Sequence, residues 1–163
     1  GDRGPYCVLG NYMIVPGAAL TGMEAITPGS AGRWNYLMAA ARARCGSDSC
    51  VIITNPIHHR TQHQMHIHYR QYNGGGSNLK LRLERALCGT TGWKYFSMCG
   101  GGKAAIFNSM PGVFSAVMGA YAGYGSLANI GITVWFTHKC GGGQKTMILA
   151  TQRCSIEHSI SSR

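Results

Sequence analysis

The sequence has 163 residues, 45% of them hydrophobic, and this length supports one domain with a sizeable buried core. Lys and Arg number 15 against five Asp and Glu, so the formal net charge of +10 predicts attraction to anions such as nucleotides, acidic glycans or anionic lipid surfaces. So few carboxylates argue against a paired-carboxylate mechanism and a hard-cation site, and sequence-specific nucleic-acid binding is not expected without an aromatic RNA-binding pattern. No apolar run reaches the roughly 18 residues that span a bilayer, so no transmembrane segment is expected in this chain.

Seven cysteines are present, and none of them forms a C-x-x-C pair suited to zinc. They favour disulfide bonds and therefore an oxidising compartment, with the protein secreted, lumenal or periplasmic. A reduced cytosolic protein with buried thiols is the alternative. Cys45 and Cys50 flank the short loop 46–49, which a bridge would close. Because seven is an odd number, one cysteine is expected to be free or to pair outside this sequence.

The first half of the chain carries strand and helix signals in alternation. The predicted elements are a strand over Tyr6–Val15 closed by a turn at Pro16-Gly17, a helix over residues 31–44, and a strand at Cys50–Thr54 ended by Asn55-Pro56. Ser30 is expected to cap the helix. The helical spacing predicts a buried side made of Trp34, Leu37, Met38 and Ala41.

Five of the seven histidines lie between Asn55 and Tyr69. The segment Met65-His66-Ile67-His68-Tyr69 alternates apolar and imidazole side chains, which on a strand places His66 and His68 on one face and leaves a core face on the other. A polar, basic loop over residues 57–62 precedes this segment. We therefore expect a hairpin with the preceding strand, in which the loop presents side chains at the entrance of the histidine strand.

The second half of the chain predicts two further helices and four strands. In order they are a helix over Asn78–Cys88, strands over Gly92–Met98 and Ala104–Phe107, a helix from Pro111 to Tyr124, and a final hairpin of Ile130–His138 and Lys145–Gln152. The three Gly-Gly-Gly tracts are interpreted as hairpin and loop connections. These elements predict a single α+β domain over residues 1–163 with its core within about 6–153.

Imidazole is the side chain left to carry catalysis, and three uses of it stay open. In a zinc site the two strand histidines would be joined by a loop histidine: His58, His59 or His63. Acid–base catalysis on RNA needs two rings that face each other, and since His66 and His68 point the same way, the partner would have to be a distant residue such as His138. The third use is an imidazole nucleophile at phosphorus.

Three short runs carry a resemblance to a known family: Asn55, Arg60-Thr61-Gln62 and His66-Ile67-His68. Together they resemble the signature of the CDP-diacylglycerol pyrophosphatase family, a branch of the histidine-triad (HIT) superfamily. The stretch 149–153 is similar to the end of the same domain. The resemblance implies a HIT-like α+β fold with an antiparallel sheet and flanking helices. It also implies a metal-independent hydrolase, without a cofactor, that cleaves a pyrophosphate bond in a nucleotide or nucleotide-lipid substrate.

The resemblance assigns roles to individual residues. His66 matches the histidine that attacks the α-phosphate, and His68 matches the third triad position, which binds phosphate oxygens and orients the nucleophile. The matches to family positions near the phosphates are Asn55, Arg60, Thr61 and Gln62.

Gln64 departs from the family pattern, because it stands where the first triad histidine is expected. Glutamine forms hydrogen bonds but does not transfer protons at neutral pH, so the catalytic role of this position is altered. The alternative hypothesis is therefore a catalytically inactive HIT-like binding or structural protein. Such a protein would be a subunit of a secreted assembly that associates through surface loops or strand edges.

Overall fold

One antiparallel sheet of eight strands and four α-helices make up the described part of the chain, which in this computed structural model comprises residues 4–17, 20–57 and 65–161. The strands are β1 Tyr6–Leu9, β2 Met13–Pro16, β3 Cys50–Thr54, β4 Ile67–Gln71, β5 Lys94–Phe96, β6 Gly102–Phe107, β7 Ile130–Thr137 and β8 Lys145–Gln152. The helices are α1 Ala31–Arg44, α2 Gly74–Leu87, α3 Val113–Ala120 and α4 Glu157–Ile160. The predicted α+β class is confirmed.

The strand order is β1-β2-β4-β3-β7-β8-β6-β5, and every neighbouring pair is antiparallel. Helices α1 and α3 cover one face of this sheet, and α2 and α4 cover the other. Met65, Ile67 and Tyr69 belong to the core beneath α1 and α3, whereas Val51 and Ile53 of the adjacent β3 belong to the core beneath α2. The core face predicted for the histidine strand is confirmed, and the histidines point toward the side of α4.

The sequence placed α1, β3 and β8 at their observed bounds, and β7 ends one residue earlier than predicted. The buried side predicted for α1 is also confirmed by Trp34, Leu37, Met38 and Ala41. Ser30 occupies the predicted N-cap position of α1, but its side chain forms no capping hydrogen bond with the helix. Its Oγ accepts a hydrogen bond from the Thr27 N–H at 3.0 Å and donates one to the Ala25 carbonyl, so it stabilises the turn before the helix instead.

The single strand predicted over Tyr6–Val15 is in fact the hairpin β1–β2. Gly10 and Asn11 both have positive φ, at 58° and 57°, and the register places Leu9 opposite Met13. Glycine and asparagine tolerate this left-handed conformation, which reverses the chain in a tight hairpin turn.

Helix α2 begins at Gly74, four residues before the predicted start at Asn78, so the first glycine tract forms its first turn. The Asn73 side chain accepts a hydrogen bond from the Gly76 N–H and thereby caps the helix. A Cβ on Gly75 would lie 2.1 Å from the Ser159 carbonyl oxygen of α4. Glycine is therefore required here because two backbones touch, a contact that a local pattern does not reveal.

Helix α3 runs from Val113 to Ala120 and is shorter than the predicted Pro111–Tyr124. At its start, Asn35 of α1 accepts a hydrogen bond from the Ser115 N–H at 3.2 Å. At its end, the Lys103 ammonium donates to the Ala120 carbonyl at 2.7 Å. Both ends are therefore fixed by side chains from other elements. Of the two strands predicted beside the second glycine tract, the first is shorter than predicted, at β5 Lys94–Phe96. The second, β6, begins two residues earlier than predicted, at Gly102.

Three disulfide bonds connect six of the seven cysteines. They are Cys45–Cys50, as the sequence predicts, together with Cys88–Cys140 and Cys99–Cys154. Cys7 on β1 is exposed and unpaired. This pattern is compatible with an oxidising compartment. Among the described helices, none combines the length and the apolar character needed to cross a membrane.

Candidate functional site

His66 and His68 form a pair of neighbouring imidazoles at the start of β4. Their ring centroids are 4.8 Å apart and their planes meet at 61°, an edge-on arrangement. His66 is 8% exposed and His68 is 3% exposed. Both rings lie on one face, as the strand alternation predicts, and both are buried. The C-terminal segment contributes Glu157 to the surroundings of His68.

His68 lies in the middle of the sheet, opposite Met13 of β2 and Ile53 of β3. Its Nδ1 lies 3.0 Å from Oε2 of Glu157, the first residue of α4, and both side chains are almost completely buried. The two atoms do not have the angle of a directed hydrogen bond, so the contact is a close polar approach. A buried carboxylate requires compensation of this kind, because removing it from water is unfavourable.

Glu157 is in turn fixed by two polar side chains. The Asn55 side-chain amide donates a hydrogen bond to Glu157 Oε1 at 3.0 Å, and Ser155 Oγ donates to Asn55 Oδ1 at 2.8 Å. The end of β3 and the segment before α4 thus meet in one network that ends at His68. The network therefore holds the Glu157 carboxylate in place beside the ring of His68.

Of the residues predicted to contact phosphates, the structure describes Asn55 alone. Its amide faces Glu157, and its contact with a phosphate stays a prediction. The remaining predicted site residues fall outside the described ranges: Arg60, Thr61, Gln62 and Gln64. The three loop histidines named for a zinc site also fall there, and within the described ranges no three His, Cys, Asp or Glu side chains form a metal-binding group.

His138 is not brought to the histidine pair. Ile53 of β3 pairs with His68 of β4 and with Thr133 of β7, so Thr133 lies level with His68 in the sheet. His138 is five residues beyond Thr133, which places it about 17 Å from that level along the strand direction. The ring of His138 instead contacts Asp48, with 2.8 Å between its Nδ1 and Oδ2. The acid–base partnership that required His138 is therefore not formed.

The pKa of the Asp48 carboxyl is shifted for an identifiable physical reason. Burial acts to raise the pKa of Asp48, but hydrogen bonds from Gln144 and His138, with the charge of Lys80 nearby, outweigh burial and hold that pKa below its usual value. Asp48 is therefore an anion across the neutral range, at the opposite end of the sheet strands from His66.

Two residues near the histidines were missed by the sequence reasoning. Arg70 continues the alternation of His66 and His68 on the same face, and its guanidinium lies 4.5 Å above the ring of Tyr12. The Tyr12 ring centroid is itself 6.0 Å from that of His68. Extending the alternation by two residues would have found Arg70. Glu157 had no comparable signal, because only the tertiary fold brings it to His68.

The site thus contains the His66 imidazole, the His68 imidazole with the Glu157 carboxylate beside it, and the Arg70 guanidinium two residues further along β4. This set of side chains can attack an electrophilic centre and offset the charge that develops there. Neither the scan against models of known protein families nor the search of curated proteins gave a match for this chain.

Proposed function

We propose that the protein hydrolyses pyrophosphate bonds in nucleotide conjugates without a metal ion, with His66 as the nucleophile. CDP-diacylglycerol and related conjugates are the substrates to which the sequence signature points. The observation that carries the proposal is the edge-on pair of His66 and His68, backed by the buried Glu157 carboxylate. A solvated strand face would not need a buried anion behind one of its histidines.

In the proposed first step, a lone pair of the His66 ring attacks the α-phosphorus of the nucleotide. The bond from this phosphorus to the bridging oxygen breaks, and its electron pair leaves with the second phosphate. Water then attacks the same phosphorus and loses a proton to solvent, while the P–N electron pair returns to His66. The products are a nucleoside monophosphate and the phosphorylated remainder of the conjugate.

Glu157 has two roles in this scheme. It places a carboxylate oxygen 3.0 Å from Nδ1 of His68, and His68 in this scheme orients a phosphate oxygen and the neighbouring nucleophile. It also offsets positive charge, because His66 becomes a cationic ring when it carries the nucleotidyl group. In a buried site such an opposite charge is stronger than in water.

Gln64 is compatible with this reaction for a chemical reason. A phosphate monoester has a second pKa of about 6, so the leaving phosphate departs as a stable anion at neutral pH. A proton donor at position 64 is therefore not needed for a pyrophosphate substrate. The same argument predicts poor activity on conjugates whose leaving group is an alcohol or an amine, which does need a proton.

The direct test is incubation of the protein with CDP-diacylglycerol and with dinucleoside polyphosphates, with and without EDTA. Release of a mononucleotide is expected in both conditions, and His66→Ala should abolish it. His158→Ala is the matched control, because His158 is an exposed histidine on α4. Absence of any mononucleotide release by the wild-type protein would refute the proposal, and loss of activity with EDTA would indicate a metal-dependent reaction instead.

The second candidate, an inactive HIT-like binding or structural protein, is favoured by the glutamine at position 64. It predicts that the wild-type protein binds nucleotides or associates with itself but releases no product from any of these substrates. Restoring the triad with Gln64→His would then produce activity that the wild-type protein lacks.

A further inference from the structure

A small cavity lies between α2, the start of β3 and the end of β7, at the opposite end of the sheet from His66. Its volume is about 310 Å³, near the lower end of the range of about 300–1,000 Å³ in which proteins bind small molecules. Two acidic and two basic residues line it: Asp48, Glu84, Lys80 and Lys139. Their formal charges cancel, although the chain as a whole carries +10.

Glu84 is a buried carboxylate without a cationic partner in the described part of the chain. It is 6% exposed, and its Oε2 accepts a hydrogen bond from the buried Thr137 hydroxyl. No ion pair joins it to any described Lys, Arg or His. Because a carboxylate removed from water is unfavourable unless it is paired, and because Glu84 lines the cavity, a cation in the cavity would stabilise it.

Lys80 does not supply this cation, although it lies one turn before Glu84 on α2. Its ammonium donates to the Asp48 carbonyl at 2.7 Å and forms no ion pair with Glu84. The Asp48 carboxylate in turn accepts from the His138 N–H at 2.8 Å and from Gln144 at 3.0 Å. Lys80 and Asp48 thus have their partners within the fold.

Lys139 is the second charged side chain of the cavity that forms no ion pair with the described residues. Its backbone N–H donates to Thr137 Oγ1 at 3.0 Å, and this is the hydroxyl that donates to Glu84. The shared hydroxyl fixes the backbone of Lys139 close to the Glu84 carboxylate. One carboxylate and one ammonium therefore line the same cavity without pairing with each other.

From these observations we propose that the cavity binds a small zwitterion of the amino-acid class. The ammonium group of the ligand pairs with Glu84, and its carboxylate pairs with Lys139. A ligand with a single charge leaves one of these two side chains without a partner, and the size of the cavity limits the ligand to a compact molecule. The proposal goes beyond the hydrolysis of nucleotide conjugates and does not depend on His66.

The test is isothermal titration calorimetry of the full chain at low ionic strength with glycine, β-alanine, γ-aminobutyrate and ε-aminocaproate. The distance between ammonium and carboxylate increases along this series, so the affinity should be greatest at the length that matches the spacing of Glu84 and Lys139. Butylamine and butyrate carry one charge each. Each should bind about tenfold or more weakly than the best zwitterion, because each lacks one charge-assisted contact.

Three variants locate the site. Glu84→Gln keeps an oxygen for the Thr137 hydroxyl but removes the charge, so it should weaken binding of the best zwitterion about tenfold or more. Lys139→Gln should weaken it about threefold, as expected for an exposed charge pair, and it tests the cavity even if Glu84→Gln unfolds the protein. Arg85→Gln is the matched control, because Arg85 is exposed on α2 beside Glu84 but lies outside the cavity.

Three results would overturn the proposal. They are an absence of binding of every zwitterion by the wild-type protein, binding of butylamine as tight as that of the best zwitterion, and an equal loss of affinity in Arg85→Gln. The second would indicate a site for a simple cation, and the third a general effect of the charge on α2. Nucleotide hydrolysis without amino-acid binding would refute the cavity proposal alone. Amino-acid binding without hydrolysis would refute the proposed function alone.

Discussion

Replacing Glu157 should reduce both stability and activity, because its carboxylate is the buried partner of His68. The Nδ1–Oε2 separation of 3.0 Å corresponds to a gross attraction of about 5–6 kcal/mol for a charged ring at an effective dielectric constant of about 20. Desolvation of both groups opposes most of this attraction. Truncating one partner of such a pair nevertheless costs about 3–5 kcal/mol, since the other partner stays buried.

Glu157→Ala is therefore expected to lower the free energy of unfolding by about 3–5 kcal/mol. In a domain of this size that change lowers the melting temperature by about 6–20 °C. Glu157→Gln keeps an oxygen that accepts the hydrogen bond from the Asn55 amide, so its free energy of unfolding should decrease by less, about 1–3 kcal/mol. If the scheme for His66 is correct, the glutamine variant should lower kcat with little change in KM, because the charge of Glu157 acts on the reacting state.

Urea unfolding of the oxidised protein, followed by circular dichroism, measures these differences. His158→Ala serves as the control, because it changes an exposed side chain of the same short helix. A Glu157→Ala variant within about 1 kcal/mol of the wild type would refute the reasoning, since the buried His68 ring and the Asn55 amide would then have lost this carboxylate with almost no effect on stability. An equal loss in His158→Ala would show that α4 itself, and not its carboxylate, is the sensitive feature.

Three further outcomes are expected. The pKa of Asp48 is lower in the folded protein than in the unfolded chain, so its carboxylate stabilises the fold above the unfolded-state pKa near 4. This stabilisation is lost as the pH falls through the lower pKa of the folded state. In Asp48→Asn the free energy of unfolding should therefore depend less on pH in the acid range, and an unchanged pH dependence would contradict this. The Cys99–Cys154 disulfide joins residues 55 positions apart in the sequence. Replacing both cysteines with serine should lower the free energy of unfolding, measured in urea, by about 4 kcal/mol. A decrease below about 1 kcal/mol would contradict this loop-closure estimate. Gln64→His should increase hydrolysis of nucleotide phosphoramidates more than hydrolysis of pyrophosphates; an equal effect on both would argue against the leaving-group explanation.

Local patterns predicted those parts of the fold in which residues close in sequence decide the structure. Helix α1 and strand β3 were placed at their bounds, because helical spacing and an apolar run before Asn55-Pro56 are local signals. The β1–β2 turn was missed because Gly10 and Asn11 lie within a run of strand-forming residues. The first turn of α2 was missed because its glycines are explained by contact with α4.

In the candidate site, too, some features follow from local sequence and others only from the tertiary fold. Strand alternation predicted that His66 and His68 share a face, and it extends to Arg70. It did not predict that His68 is buried against a carboxylate, because Glu157 begins the short C-terminal helix and is distant in sequence. Long-range contacts therefore supply the carboxylate, while the local sequence supplies the imidazoles.

The central claim is that His66 forms a covalent bond to the nucleotide. The most direct measurement is mass spectrometry of the protein quenched during turnover of CDP-diacylglycerol under conditions that preserve P–N bonds. A nucleotidyl group on the peptide that contains His66 is expected, with and without EDTA, and it should be absent from His66→Ala but present in His158→Ala. Product release without any adduct on His66, or an adduct on another residue, would contradict the claim.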